Sequence, residues 1–282
     1  MTEVSATSPE AFEIPCKDGL SIRGEVYPAA SSLGTVILCH GFKGFAHWGF
    51  FPYLGRTLAE SGLTAISFDF SGSGIGSDRE SFTEPDAFAG NTLSREQDDL
   101  DNLVEYAKRM KLITGKKFGL FGHSRGGGSA ILFAAAPDSD VSSLVTWAAI
   151  SFPNRWSKED VGTWRKRGYA EVTNSRTGQI MRLGTDLLED VEQHGRTKLN
   201  IEAAAAKIKV PWLIVHGTAD DTVPSSEAER LHALSSGVST LRLIKGANHG
   251  FDAKHPLTEV PPVLEKVVLE TVKFFVRNAT AK

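Results

Sequence analysis

A serine set between glycines follows an apolar run near the middle of the chain. Gly122-His123-Ser124-Arg125-Gly126 comes directly after the segment KKFGLF and leads into the small-residue segment GGGSAILFAAA. We expect a strand that ends in a tight turn and continues as a helix, which is the setting of the nucleophile elbow. In such a turn the glycines keep side chains away from the crowded backbone, and the serine Oγ projects beyond the sheet edge. Ser124 is therefore a candidate nucleophile.

An activated serine needs a base and an acid that orients the base. Asp220 follows the apolar segment PWLIV, and His249 follows the segment LRLIK, so each lies in a loop at the end of a predicted strand. The order serine, aspartate, histidine along the chain is the one found in proteins whose serine lies in a nucleophile elbow of this kind. His249 is the candidate base and Asp220 the candidate orienting acid. Asp221 is the alternative acid, and Asp220 is favoured over it.

Stabilising a tetrahedral oxyanion requires two N–H donors near the serine. We expect one from the backbone of Arg125, directly after the serine, and one from Phe42 in the loop HGFKG. The side chain of Arg125 is given no catalytic role. His40, His123 and His216 each lie near a strand end, and they are interpreted as structural rather than catalytic.

The rest of the chain alternates between strand-like and helix-like segments. Asp18-Gly19 between two alternating runs predicts a hairpin, and Ser94 with Gln97 suggests a capping box at the start of a helix. Strands that alternate with helices predict a mostly parallel sheet covered on both faces. The interval 151–205 is too long for an ordinary crossover, so we expect an inserted cap there. The predicted core domain then comprises residues 1–150 and 206–282.

Five motifs together resemble the α/β-hydrolase superfamily: HGFKG, FDFSGSGIGSD, GHSRGG, HGTADDTVP and GANHGF. Within it the chain looks similar to cinnamoyl and feruloyl esterases and to serine aminopeptidase-like hydrolases. The resemblance extends from about residue 12 to about residue 278 and implies an α/β fold with about eight mostly parallel strands flanked by helices. It also implies a helical cap inserted after the sixth strand and a triad on Ser124, Asp220 and His249.

The cap carries two tryptophans, Trp156 and Trp164, that are candidate substrate-binding residues. These two tryptophans are consistent with the wall of an acyl or aryl pocket. They are equally consistent with aromatic side chains that pack the cap onto the core. A lipase lid is expected to present a continuous apolar face to a lipid surface. The cap is instead rich in charged residues, which argues against long-chain triglycerides as substrates.

The composition excludes several other classes of protein. The 282 residues carry a net charge of -3, which gives no electrostatic reason to expect nucleic acid or an anionic membrane as a partner. The two cysteines, Cys16 and Cys39, form neither a disulfide framework nor a metal-binding spacing. The chain has no signal-peptide pattern and no apolar run of membrane-spanning length, so we expect a cytoplasmic protein.

These observations predict a carboxylesterase that cleaves small to medium or aromatic esters through an acyl-enzyme on Ser124. No metal and no organic cofactor is expected, and the expected partner is a small-molecule ester. A peptidase or amidase, or an acyltransferase, would use the same triad. A ligand-binding protein that has lost turnover is the alternative from a different class, because fold alone does not establish activity.

Overall fold

The computed structural model describes residues 8–174 and 177–279. Residues 1–7, which form most of the N-terminal segment considered in predicting a cytoplasmic location, lie outside this range. An eight-stranded sheet forms the centre of the molecule. Its strands are β1 (Glu10–Pro15), β2 (Ser21–Tyr27), β3 (Gly34–Cys39), β4 (Leu63–Asp69), β5 (Phe118–His123), β6 (Val141–Trp147), β9 (Trp212–Gly217) and β10 (Ser239–Ile244).

The strand order is β1-β2-β4-β3-β5-β6-β9-β10. The pairs β1–β2 and β2–β4 are antiparallel, and the five other pairs, from β4–β3 across to β9–β10, are parallel. The predicted hairpin is present, with the Asp18-Gly19 turn joining β1 to β2 and Gly19 at a φ of 85°. The sequence-based prediction of a mostly parallel sheet of about eight strands is therefore confirmed.

Helices cover both faces of this sheet because its parallel strands are apolar on both sides. One face packs Ile37, Leu120 and Leu144 in a cluster with residues of α3 and α4. The other packs Val36 and Phe121 in a cluster with residues of α1 and α9. The helices are α1 (Phe51–Glu60), α2 (Pro85–Ala89), α3 (Leu93–Arg109), α4 (Arg125–Ala134), α5 (Lys158–Arg167), α6 (Asp186–His194), α7 (Ile201–Ala205), α8 (Ser225–Leu234) and α9 (Pro262–Ala279).

The capping box predicted at Ser94 and Gln97 is wrong. The helix α3 begins two residues earlier, with Thr92 as its N-cap in an extended conformation, and the Thr92 hydroxyl accepts the Arg95 N–H at 3.0 Å. Ser94 instead donates its hydroxyl to Asp190 of α6, and the Gln97 amide donates to the Ser129 carbonyl at 3.2 Å. Tertiary partners therefore occupy both side chains that the local pattern assigned to the cap.

The predicted cap segment, residues 151–205, contains a two-stranded sheet as well as helices. The strands β7 (Tyr169–Thr173) and β8 (Ile180–Gly184) pair with each other as an antiparallel hairpin, separate from the central sheet. Helix α5 precedes the hairpin, and it is closed by Gly168 at a φ of 78°. The division of the chain into core and cap domains stays a prediction. Within the described residues, no helix combines the length and apolar character needed to span a bilayer.

Candidate active site

Ser124 lies at the sharp turn between β5 and α4. Its φ of 56° and ψ of -122° fall outside the regions that a non-glycine residue normally adopts. The strained backbone is held by hydrogen bonds, since the Ser124 N–H donates to the Trp147 carbonyl at 2.9 Å and the Ser124 carbonyl accepts the Gly127 N–H at 3.0 Å. Strain of this kind persists where the surrounding structure over-determines it, often at functional sites. The side chain is only half-buried, so the hydroxyl is accessible.

The glycines on either side of Ser124 are required by close backbone contacts. A Cβ atom on Gly122 would lie 2.3 Å from the Gly126 carbonyl oxygen. A Cβ atom on Gly126 would lie 2.2 Å from the His40 carbonyl oxygen. Both contacts are with backbone atoms, which cannot swing aside as a flexible side chain can. The sequence pattern therefore serves the close packing of the β5–α4 turn against the end of β3.

Asp220 and His249 are joined by a direct hydrogen bond. The His249 Nδ1 lies 2.8 Å from the Asp220 Oδ2, although 29 positions separate the two residues along the chain. Asp220 follows β9 and His249 follows β10, and the parallel register of these strands brings their carboxyl ends to the same edge of the sheet. The backbone N–H groups of Thr222 and Val223 donate to the Asp220 Oδ1, each at 2.9 Å. The loop after β9 thus fixes the carboxylate that faces the histidine.

The neighbouring Asp221 has a different environment. Its side chain is exposed and accepts a hydrogen bond from the Thr222 hydroxyl at 3.3 Å. The structure therefore brings Asp220, and not Asp221, against His249.

A second histidine, His216, contacts the same carboxylate. The His216 side chain is fully buried, and its Nε2 lies 3.1 Å from the Asp220 Oδ2 and 2.8 Å from the Val223 carbonyl oxygen. Because both neighbours are acceptors, Nε2 carries a proton. The His216 Nδ1 has no hydrogen-bond partner among residues 8–174 and 177–279. From the sequence, His216 was expected to be a structural residue near a strand end, and no signal in the chain pointed to its contact with Asp220.

These contacts control the charge of Asp220. Burial acts to raise the pKa of this carboxyl, but hydrogen bonds from His216, His249 and the Val223 N–H outweigh it and hold the pKa well below its usual range. Asp220 is therefore ionised and accepts hydrogen bonds only. The proton between the two side chains consequently lies on the His249 Nδ1, which leaves the Nε2 of a neutral His249 as an acceptor.

His123, the residue before the candidate nucleophile, supports the His249 loop. Its Nε2 lies 3.0 Å from the His249 carbonyl oxygen, and the two rings are 4.7 Å apart. Burial, and then the proximity of His249, lower the pKa of His123 to about 3. His123 is therefore neutral near pH 7 and donates a hydrogen bond to that carbonyl. This structural role agrees with the sequence analysis, which did not foresee the contact with the candidate base.

The two residues predicted to supply oxyanion donors, Phe42 and Arg125, belong to segments that lie against Ser124. The loop that carries Phe42 passes close to the serine, since a Cβ atom on the preceding Gly41 would lie 2.9 Å from the Ser124 Cβ. Arg125 is the first residue of α4, and the N–H groups of the first helical turn lack partners within the helix. His40 anchors the start of the Phe42 loop, with its Nδ1 2.8 Å from the Gly41 carbonyl oxygen.

A cavity of about 930 Å³ opens beside these residues. Its lining includes all the predicted site residues except Asp220, whose side chain is buried behind His249. Trp156 and Trp164 both contribute to the wall, and their rings meet edge to face with centroids 5.0 Å apart. Trp164 is buried, while Trp156 is partly exposed. The cap segment therefore covers the cavity with aromatic side chains that pack on one another.

Comparisons with known proteins agree with this architecture. The family described as alpha/beta hydrolase fold matches residues 34–167. An uncharacterized 31.7 kDa protein from the traX-finO intergenic region of Escherichia coli is 26% identical over 238 residues, 73% of this chain and 79% of that protein. Est1E from Butyrivibrio proteoclasticus, with ferulic acid bound, is 23% identical, with a TM-score of 0.72 over 96% of this chain and 100% of that one.

A monoacylglycerol lipase from Paleococcus ferrophilus is 18% identical and superposes with a TM-score of 0.67 over 96% of this chain and 100% of that one. The sheet order, the family match and these neighbours agree with one another. The chain has the alpha/beta-hydrolase fold, and the resemblance noted from its five sequence motifs is confirmed at the level of the fold.

Proposed function

We propose that this chain is a serine hydrolase that cleaves carboxylic esters through an acyl-enzyme on Ser124. The observation that carries the proposal is the convergence of three features on one cavity. Ser124 lies in a strained elbow at the cavity wall, His249 lines the same cavity, and an ionised Asp220 accepts a hydrogen bond from the His249 ring. A nucleophile, a base and an orienting acid are the parts that acyl transfer requires.

In the proposed reaction the His249 Nε2 removes the proton from the Ser124 hydroxyl as Oγ attacks the ester carbonyl carbon. Asp220 stabilises the resulting imidazolium and keeps its Nδ1–H directed at the carboxylate. The imidazolium then gives its proton to the departing alkoxide, which leaves as the alcohol, and the acyl group stays on Ser124. Water then attacks the acyl carbonyl carbon as the His249 Nε2 removes its proton. The bond between the acyl carbon and the Ser124 Oγ breaks, the imidazolium returns the proton to Oγ, and the carboxylic acid is released.

The backbone N–H groups of Phe42 and Arg125 are assigned the role of stabilising the negative charge that develops on the carbonyl oxygen. Donors that are already oriented cost no reorganisation during the reaction, and such groups supply a large part of the catalysis in related chemistry. The elbow fixes the Arg125 N–H at the start of α4, and the Gly41 contact with Ser124 keeps the Phe42 peptide next to the serine.

The cavity suits esters of small to medium or aromatic acids. A volume of about 930 Å³ is at the upper end of the range for small-molecule sites, roughly 300–1,000 Å³. Trp156 and Trp164 are assigned to the wall of the acyl or aryl pocket. The neighbours support the ester class at a coarse level, because one is described as a monoacylglycerol lipase and another holds ferulic acid. Cytoplasmic location, and a small-molecule partner rather than nucleic acid or membrane, stay predictions from the composition.

The proposal is tested by hydrolysis of p-nitrophenyl esters from acetate to palmitate, with methyl ferulate and an aminoacyl-nitroanilide in parallel. Each substrate is assayed with the wild type and with Ser124→Ala. We expect turnover that depends on Ser124 and is greatest for short or aromatic acyl groups. Turnover of the anilide alone would assign a peptidase, and full activity of Ser124→Ala on the esters would overturn the proposal.

A further inference from the structure

We propose that the Arg125 side chain, together with Glu96, is a positioning element of the oxyanion hole. Arg125 supplies one donor through its backbone, and its guanidinium holds the aromatic ring of Phe42, whose backbone supplies the other. This inference rests on the proposed function and deepens it, because it assigns a role to a buried ion pair outside the triad. No role for this side chain was expected from the sequence.

The ion pair involves Arg125, the residue that follows the candidate nucleophile. The Arg125 Nη2 is 2.9 Å from the Glu96 Oε1, and the two side chains are 10% and 5% exposed. Glu96 belongs to α3 and Arg125 to α4, so the pair joins two helices that cover the same face of the sheet. A charge pair this deeply buried is costly to desolvate and requires well-defined partners.

The Glu96 carboxylate is held by two further hydrogen bonds. The Ser129 hydroxyl donates to its Oε2 at 2.6 Å, and the Asn91 amide donates to its Oε1 at 3.2 Å. Ser129 lies one turn along α4 from Arg125, so the carboxylate bridges successive turns of the helix that begins at the nucleophile. These contacts leave the carboxylate little freedom to move. The carboxylate holds the guanidinium through the ion pair and not through a well-aligned hydrogen bond, since the buried Arg125 Nε and Nη2 have no hydrogen-bond partner among residues 8–174 and 177–279.

The fixed guanidinium contacts the ring of Phe42. The Arg125 Cζ lies 5.5 Å from the centroid of that ring, within the range of a cation–π contact. The Phe88 ring of α2 also stacks on the Phe42 ring, with centroids 5.7 Å apart and an angle of 25° between the planes. The Phe42 side chain is therefore held by groups on both α2 and α4.

The backbone of this loop needs such support. Gly41 to Gly44 form a turn closed by a 3.0 Å hydrogen bond from the Gly44 N–H to the Gly41 carbonyl, and Lys43 within it has a φ of 59°. A non-glycine residue in the left-handed region is strained. Because the backbone has only two soft dihedral angles per residue, fixing the ring limits the directions in which the Phe42 N–H can point.

An alternative role for Arg125, as a binding site for an anionic group of the substrate, is disfavoured by charge. Arg125 lines the cavity, but Glu96 already neutralises its guanidinium at 2.9 Å. An incoming carboxylate would have to compete with a buried carboxylate that Ser129 and Asn91 hold in place. The contacts favour a role in orientation over a role in recognition.

The experiment compares Arg125→Ala with the wild type on the best ester substrate. We expect kcat to fall by about 10- to 100-fold, a loss in the range below that for deleting an oxyanion donor outright. KM should stay within about threefold, because the displaced donor acts mainly on the transition state. The inhibition constant of a trifluoromethyl ketone, which mimics the oxyanion, should rise in parallel with the loss of kcat/KM. An unchanged kcat in a folded variant would overturn the inference.

A second variant controls for misfolding of Arg125→Ala, in which the buried carboxylate of Glu96 is left unpaired. Glu96→Gln combined with Arg125→Ala removes both charges. The glutamine oxygen can still accept from the Asn91 amide, and its NH2 group can donate to the Ser129 hydroxyl oxygen. This double variant should fold and show the same loss of kcat as Arg125→Ala. Val104→Ala, on α3 two turns from Glu96 and outside the site, serves as a stability control. Val104→Ala should lower Tm and leave kcat unchanged. A loss of kcat that follows the loss of Tm in all variants would contradict the proposal that Arg125 positions the oxyanion donor of Phe42.

A coupling test separates action through Phe42 from other effects. Phe42→Leu keeps the backbone N–H and removes the ring, so it should lower kcat by a similar factor. If Arg125 acts through the ring, the combined variant loses no more than the larger single loss, whereas independent effects multiply. Multiplied losses would overturn the inference. Absence of any Ser124-dependent turnover in the wild type would instead overturn the proposed function, and the inference with it.

Discussion

At the scale of single residues, the Asp220 carboxylate is the most constrained group of the candidate site. One oxygen accepts the backbone N–H groups of Thr222 and Val223, and the other is shared by His249 and His216. Burial without these donors would favour the neutral acid, whereas the donors favour the anion. The proposed orientation of the base therefore depends on the turn after β9 as well as on the aspartate itself.

Substitution of Asp220 by Asn should lower kcat/KM by about 10³- to 10⁴-fold, because the amide can donate to Nδ1 and so favours the wrong tautomer of His249. Asp221→Asn is the matched control, and it should retain kcat/KM within about twofold. The measurement is the steady-state rate on the preferred ester over a pH series. A greater loss for Asp221→Asn than for Asp220→Asn would reverse the assignment of the acid.

The sequence predicted which residues form the candidate site better than it predicted which other side chains contact them. The choice of Asp220 over Asp221 was made from position in the loop, and the observed contact with His249 agrees with it. The contacts of His216 and of the Arg125 side chain could not be predicted, because each joins segments that are adjacent only after folding. His216 reaches Val223 across the loop, and Arg125 reaches Glu96 on another helix.

At the scale of elements, the β5–α4 turn positions Ser124, the proposed nucleophile, and the glycines of the turn determine whether the turn forms. Gly126→Ala should destabilise the protein by more than about 3 kcal/mol or prevent folding, because the new Cβ would meet the His40 carbonyl oxygen at 2.2 Å. The helix propensity of alanine, favourable by only about 1 kcal/mol, cannot offset that clash. Urea unfolding monitored by circular dichroism measures the loss.

Gly162→Ala is the matched control for this prediction. Gly162 lies inside α5, and a Cβ atom there would meet nothing within 4 Å. We expect it to stabilise α5 by about 0.5–1 kcal/mol, with no loss of global stability. A Gly126→Ala protein that unfolds at the same urea concentration as this control would contradict the account of the elbow.

The elements were predictable where a local pattern and the tertiary fold agree. The buried run of β3 and the Asp18-Gly19 hairpin are signals that packing reinforces. The start of α3 was not predictable, because Ser94 bonds to Asp190 of a distant helix and leaves Thr92 as the cap. The β7–β8 hairpin was also missed, since β7 alternates only weakly in burial and the two strands pair only with each other.

At the scale of the whole molecule, a charged cluster connects segments that are far apart in sequence. The His47 Nε2 lies 3.1 Å from Glu25 of β2, and its Nδ1 lies 2.9 Å from Glu80. Glu80 also contacts His255, 3.4 Å away, in the segment that follows the His249 loop. Arg79 adds a positive charge 3.1 Å from Glu25. This cluster therefore connects the antiparallel strand β2 to the loops at the edge of the sheet that carries the candidate site.

The cluster predicts a component of the stability that depends on pH. The hydrogen bond to Glu25 raises the pKa of His47 above its ordinary value, against the effect of burial. The stabilisation is therefore fully present below the unfolded-state pKa of about 6.5 and is lost as the pH rises through the higher folded-state pKa. Tm measured from pH 5.5 to 8.5 should fall less steeply for His47→Gln than for the wild type. Parallel curves would contradict this prediction.

The central claim is that Ser124 is the nucleophile, and the most direct measurement is its covalent capture. The folded protein is treated with a fluorophosphonate, and peptide mass spectrometry locates the added mass. The account predicts stoichiometric labelling of Ser124, slower labelling in Asp220→Asn because its histidine is a poorer base, and none at that position in Ser124→Ala. A folded protein in which Ser124 stays unlabelled, or in which another residue takes the label while ester turnover proceeds, would contradict it.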